Sequence, residues 1–478
     1  MVNIKVLSEH CCIYCKHTLK SSAGIKRHML KCKKRPSNTD QPPLSLLSPI
    51  LSNTSKCFEN IPYLPEIDIF PPNPATSNKS WGNMSLQNFL TSINSIYDEV
   101  VKYRRNIFNL PSGRAGKEFI TELTFWLKQF NSESHFNQIS IKVFMILPSI
   151  LLQKPSPKSK SKDHTACLIR RIELWRHGNL TVLLKEIRNI QSKFVNSKKT
   201  KSVEEISRIF AKNVMEGKIS SAIKYLDRES SSGVISLSDS VMKELKEKHP
   251  EAAPISDNIL LHGPIDLIPS CFFDSIDETL VFKAALNTKG SAGPSGMDGD
   301  LYRRILCSKN YGKIGKELRE EIALLARNLL TKNYHHDFIE AYVSSRLIPL
   351  DKKPGIRPIG VGEVLRRIIG KMVSWTFGDE IKRSAGPLQT CANHSAGSEA
   401  AIHSMKVVFD NEATDAILLI DASNAFNSMN RNVAMHNIRV TCPVISTYVI
   451  NTYRHSSRLF VSGGEEIASR EGTTQGDP

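Results

Sequence analysis

The chain's 478 residues are 40% hydrophobic and 23% charged, an ordinary balance for folded protein that excludes a wholly disordered polymer. At ~100–200 residues per domain, several domains fit. Sixty-four Lys and Arg against 47 Asp and Glu leave a net charge of +17, the balance of a protein that meets polyanions, nucleic acid most often. No run of ~18 apolar residues occurs, so no membrane is expected as a partner. The start of the sequence lacks the pattern of a secretory leader.

Cys11, Cys12, Cys15 and Cys32 cluster, while the other six of the ten cysteines stand singly. That is the pattern of one metal site plus reduced thiols, as in a nuclear or cytoplasmic protein and not a secreted one. Cys12-x2-Cys15-x12-His28-x3-Cys32 has the spacing of a small zinc finger over 8–35. A tight knuckle offers two thiolates, and a helical segment then offers His28 and Cys32 on one face, closing a tetrahedron around Zn²⁺. Leu19 and Ile25 occupy the two core positions of such a finger, which folds only with its metal. Cys11 is an alternative to Cys12, at the cost of a less usual knuckle. Lys16, Lys20, Lys26, Arg27 and Lys31 suit phosphate contact, so DNA or RNA is the expected target, with a protein target as the other reading.

Nine prolines from Pro36 to Pro74, set among Ser, Asn and Thr, make 36–80 an extended linker, because proline fixes φ and removes backbone donors. Helical spacing begins after Trp81, with Leu86, Phe89, Leu90, Ile93, Ile96 and Tyr97, then Phe119, Leu123, Trp126, Leu127 and Phe130. Lys154–Lys162 reads as a polar loop. Helical texture resumes over Ile169–Phe194 and Val203–Leu226, making 81–255 a mainly helical region whose role periodicity does not disclose.

From Ile265 the texture is mixed. Asp277–Leu286 and Ile314–Leu330 are expected helices, and Ser345–Leu350 and Ile356–Val361 are expected strands around a Lys-Lys-Pro-Gly turn. Ala416–Ile420 is an expected strand ending abruptly at Asp421. Leu459–Val461 and Glu466–Ser469 flank Gly463-Gly464 as a hairpin. An acid at the end of a buried strand is where an α+β site can hold Mg²⁺. Lys352, Lys353 and Arg357 beside a glycine turn could wrap a triphosphate, arginine as a fork and lysine as a point charge.

Four segments stand in order: Gly290–Asp298, Leu347–Lys371, Leu418–Phe426 and Glu471–Pro478. Together, over 276–478, they resemble the reverse transcriptase domain of retroelements, non-LTR retrotransposons above all. Gly293-Pro294-Ser295-Gly296 matches that family's early Gly-Pro segment. Lys352, Gly355 and Arg357-Pro358-Ile359 match its fingers motif, Asp421 and Phe426 its first metal motif, and Gln475-Gly476-Asp477-Pro478 its Gln-Gly turn. The resemblance implies an α+β fold of right-hand fingers and partial palm over 265–478, preceded by the helical region and the finger. It also implies nucleotide transfer to a DNA primer on an RNA template by two Mg²⁺ ions. Asp421 and the Ala422 carbonyl would hold Mg²⁺, with Asp421 as the catalytic carboxylate. Lys352, Lys353, Arg357, Phe426, Gln475 and Gly476 would bind nucleotide, with Phe426 under the sugar.

In that family a second carboxylate motif, an aromatic residue, any residue and Asp-Asp, follows the Gln-Gly turn. No Asp-Asp pair occurs in this sequence. Phe377-Gly378-Asp379-Glu380 precedes Asp421 and sits among helical residues, so it does not substitute. The expectation is a truncated reverse transcriptase, inactive alone. The alternative is a non-catalytic, nucleic-acid-binding zinc-finger protein derived from a retroelement, bound to RNA or target DNA. A zinc-finger regulator with a helical interaction domain is a third reading, which leaves Asp421 and Gln475 unexplained.

Overall fold

The computed structural model describes residues 10–11, 18–19, 86–193, 202–226, 233–352, 355–411, 413–461 and 465–474. β1 (His10–Cys11) and β2 (Thr18–Leu19) pair antiparallel, His10 opposite Leu19 and Cys11 opposite Thr18. The expected zinc ligands Cys12, Cys15, His28 and Cys32 lie outside the described residues, as do Lys353, Gln475 and Gly476.

Eight helices then follow in chain order among the described residues: α1 (Leu86–Val100), α2 (Arg114–Asn131), α3 (Asn137–Leu151), α4 (Ser161–Arg176), α5 (Leu180–Ser192), α6 (Val203–Met215), α7 (Ile219–Leu226) and α8 (Asp239–Glu247). The run expected over Ile169–Phe194 is thus broken into α4 and α5, and Val203–Leu226 into α6 and α7. Gly178 and Gly217 stand at the breaks with φ near +71° and +70°, a backbone that ends a helix and strains any side chain.

α3 is buried on every face from Ile139 to Leu151 and packs against α1 and α2. Its apolar run is therefore a core helix. No helix among the described residues is long and apolar enough to cross a membrane. Trp126 of α2 and Trp175 of α4, both fully enclosed, meet edge to face at 6.3 Å. Rings buried this completely contribute roughly 2–3 kcal/mol each.

The second stretch holds α9 (Glu278–Asn287), α10 (Gly299–Cys307), α11 (Gly312–Thr331), α12 (His336–Val343), β3 (Ser345–Asp351), β4 (Ile356–Gly362), α13 (Val364–Thr376), α14 (Gly378–Ala385) and α15 (Gly397–Phe409). It ends with α16 (Arg431–Thr441), α17 (Pro443–Tyr453), β5 (Ser457–Val461) and β6 (Glu466–Ser469). Asp277 caps α9 through the Leu280 N–H at 2.8 Å, and Asp298 caps α10 through Leu301 at 2.9 Å. α11 lies along α2 and α12 along α3, so residues before 255 and after 265 share one apolar core.

The fold is mixed α+β. Its four-stranded sheet has the order β4-β3-β5-β6, two antiparallel hairpins joined by a parallel β3–β5 pair. Both expected hairpins are present. Leu347, Ile356, Leu459, Val461 and Ile467 form a smaller core with Val241 and Leu245 of α8. The opposite face carries Arg346, Ile348 and Leu350 paired with Val361, Ile359 and Arg357.

The expected strand Ala416–Ile420 is absent. The segment has no regular structure, and Leu418, Leu419 and Ile420 are 83–86% exposed. Alternating or apolar sequence supplies strand propensity, but a strand forms only where a neighbour accepts its ladder, and no described strand lies beside this one.

Candidate nucleic-acid and nucleotide site

The β3–β4 turn is closed by the Lys352 N–H donating to Gly355 O at 3.1 Å, and both Lys352 and Arg357 are exposed. α8 braces this turn. Glu244 Oε1 accepts the Ile356 N–H at 2.7 Å, while Lys248 pairs with Glu244 at 3.4 Å. From the end of α8 the Lys248 carbonyl accepts Asn424 Nδ2 at 2.9 Å, tying the Asp421–Phe426 segment to the same corner. Ser240, Lys243, Glu244, Glu247, Lys248 and Asn424 line an open cleft there of about 600 Å³.

Residues 425–428 form one short helical turn, with Phe426 half-exposed. The Thr473 N–H donates to Phe426 O at 2.6 Å, and the Gly472 N–H to Met429 O at 2.8 Å. A Cβ on Gly360 of β4 would lie 3.2 Å from the Thr474 methyl. Segments separated in sequence by up to about a hundred residues thus meet at one edge of the sheet: β4, the Asp421–Phe426 segment and the residues leading into Gln475.

Arg431, which no sequence motif marked, and Glu471, the first residue of the Glu471–Pro478 segment, hold this junction. Both are nearly fully enclosed. Arg431 donates from Nε to Gly472 O and from Nη1 to Ser469 O, each at 2.7 Å, and lies over the Tyr453 ring at 5.4 Å. Burial lowers its pKa to about 10, so it stays charged at neutral pH. Glu471 accepts the Ala253 and Arg431 backbone N–H groups at 2.8 and 2.7 Å.

The Gly293–Gly296 segment is a buried turn. Glu363, fully enclosed between β4 and α13, accepts the Ser295 N–H and Oγ–H, both at 2.7 Å. Ser149 Oγ of α3 donates to Ser295 O at 2.8 Å, and Arg105 Nε to Gly296 O at 2.9 Å. The turn therefore fastens the helical region to the sheet.

Asp421 and Ala422 are exposed in irregular chain. Among the described residues no group of three or more His, Cys, Asp or Glu side chains is placed to hold a metal ion. Asp421 and Ala422 by themselves supply one carboxylate and one carbonyl, short of the ligand set of a two-metal centre. The cysteines Cys167, Cys271, Cys307, Cys391 and Cys442 are unpaired. Comparison of the chain with family models, curated proteins and solved structures gave no significant match in any of the three.

Proposed function

We propose that the chain is the fingers and partial palm of a retroelement-type reverse transcriptase carrying an N-terminal zinc finger. In this reading it binds a primed RNA template and nucleotide, and Asp421, exposed in irregular chain, extends no primer as it stands. The observation that carries the reading is the junction itself: Thr473 is hydrogen-bonded to Phe426, and Thr474 lies against β4. Lys352, Lys353 and Arg357 hold the triphosphate in this reading, with Phe426 near the sugar and Gln475 and Gly476 continuing from Thr474. The His10–Leu19 ladder, which brackets Cys12 and Cys15, supports a zinc knuckle. The exposed, unpaired Leu418–Asp421 segment favours the second reading, nucleic-acid binding without catalysis by this chain.

Fluorescence anisotropy with labelled poly(rA)·oligo(dT) on the full chain, wild type beside a Cys12→Ser/Cys15→Ser variant, separates the two. Polymerase-type binding is expected to survive the double substitution, with no primer extension above an Asp421→Ala control. Loss of all binding in the variant would leave a zinc-finger binder. Extension above the control would show a completed catalytic centre.

A further inference from the structure

Arg346 presents an unsolved electrostatic problem. It is half-buried on β3, its Nε is enclosed, and no side-chain hydrogen bond or ion pair satisfies it among the described residues. Glu363 is near enough to favour its charge, but both Glu363 oxygens are taken by Ser295. Arg105 pushes the other way, and burial, the larger effect, also lowers the Arg346 pKa. A guanidinium in this state is costly unless an anion completes it.

Its surroundings are basic. Arg105 sits over the Gly296 carbonyl and pairs with Asp298. Arg367 donates to the Lys289 and Ser291 carbonyls and lies near enough to Glu363 to favour its carboxylate. The basic surface continues into the helical region. The Lys154 N–H donates to Asn106 O at 2.8 Å, holding the 104–106 segment beside Lys154, and Arg104 and Lys158 are exposed close by in sequence. In the other direction Arg346 shares a sheet face with Arg357, whose partner Leu350 lies four residues along β3. At ~3.3 Å per residue the two guanidinium-bearing positions are about 13 Å apart, with the half-exposed aliphatic residues Ile348 and Ile359 between them.

We propose that Arg346, with Arg105 beside it and the Arg104–Lys154–Lys158 ridge continuing from Arg105, is a binding track for the phosphodiester backbone of a nucleic-acid strand. This rests on the nucleic-acid reading above and deepens it by giving part of 81–255 a role: residues 104–105 and 154–158 grip the strand that β3 and β4 present. Arginine suits the enclosed position because its fork meets two phosphate oxygens at once, and lysine suits the solvated ridge.

The test is equilibrium binding of fluorescein-labelled single-stranded RNA and DNA of equal length to the full chain, titrated from 50 to 200 mM salt. Variants are Arg346→Met, which keeps the packed stem, and Arg104→Gln/Lys158→Gln, which alters exposed side chains alone. Each variant is expected to bind roughly tenfold more weakly, and to lose about 0.7 from the slope of log affinity against log salt for each phosphate contact removed. Equal losses with RNA and DNA indicate backbone contact, whereas a loss confined to RNA indicates 2′-hydroxyl recognition and overturns a pure phosphate track. Wild-type binding with unchanged affinity and slope in Arg104→Gln/Lys158→Gln overturns the track while sparing the proposed function. Absence of wild-type binding overturns both. If Arg346→Met unfolds, the exposed pair decides.

Discussion

Glu363→Ala is expected to lower stability by roughly 3–5 kcal/mol, the cost of stripping a buried carboxylate from its partners. The substitution leaves the Ser295 N–H and hydroxyl buried without their acceptor and removes the counter-charge near Arg346, Arg366 and Arg367. The same residue carries a pH signature. Burial pushes its carboxyl from 4.5 up to about 7, against the pull of Ser295 and the two following arginines. The folded state therefore holds this proton more tightly than the unfolded chain does. Its contribution to stability is full below about pH 4.5 and is lost as pH rises through 7, a change of order 3 kcal/mol. Glu363→Gln, whose amide can still serve Ser295, is expected to remove this contribution from the urea-unfolding midpoint between pH 5 and 8. A variant with the wild-type pH slope would show that the carboxyl does not titrate as the burial demands.

Gly472→Ala is expected to release the Glu471–Thr474 segment from the Phe426 turn. Gly472 has φ near +71°, and a Cβ there would fall 2.0 Å from Phe426 O and 2.4 Å from Asn427 Cα. Backbone cannot yield that distance cheaply, and the left-handed conformation adds about 1 kcal/mol of its own. The segment would open rather than compress, breaking the Gly472–Met429 and Thr473–Phe426 hydrogen bonds. Trypsin cleavage after Arg470 is expected to accelerate at least about tenfold, the effect of making local opening easier by roughly 1.4 kcal/mol. An unchanged cleavage rate, with the chain still folded, would mean that the two segments are not docked.

Local pattern carried the sequence reading wherever the structure is itself local. Lys-Lys-Pro-Gly between two apolar runs specified the β3–β4 hairpin, and three-and-four spacing specified α1 and α2. Ala416–Ile420 failed because its propensity is a request for a partner strand, which the residues 416–420 cannot disclose. The parallel β3–β5 pair joins two hairpins about a hundred residues apart, beyond any window of periodicity. The same holds for the side chains that fasten the site. Glu363 meets Ser295 across 68 residues and Arg431 meets Glu471 across 40. A single charged residue leaves no spacing to read, so the half-buried position of Arg346 and the buried positions of Glu363, Arg431 and Glu471 became visible only in the fold. The candidate nucleotide residues were legible as a resemblance. What the fold adds is that Lys352, Phe426 and Thr474 belong to segments in mutual contact around α8 and β4.

The most direct measurement is photolabelling of the full chain with an azido-deoxynucleoside triphosphate in the presence of poly(rA)·oligo(dT), followed by peptide mapping. Labels are expected on peptides spanning Lys352–Arg357 and Phe426, lost together in Arg357→Ala while primed-template binding persists. Labels confined to residues 8–35, or labelling indifferent to Arg357→Ala, would contradict the polymerase-type reading.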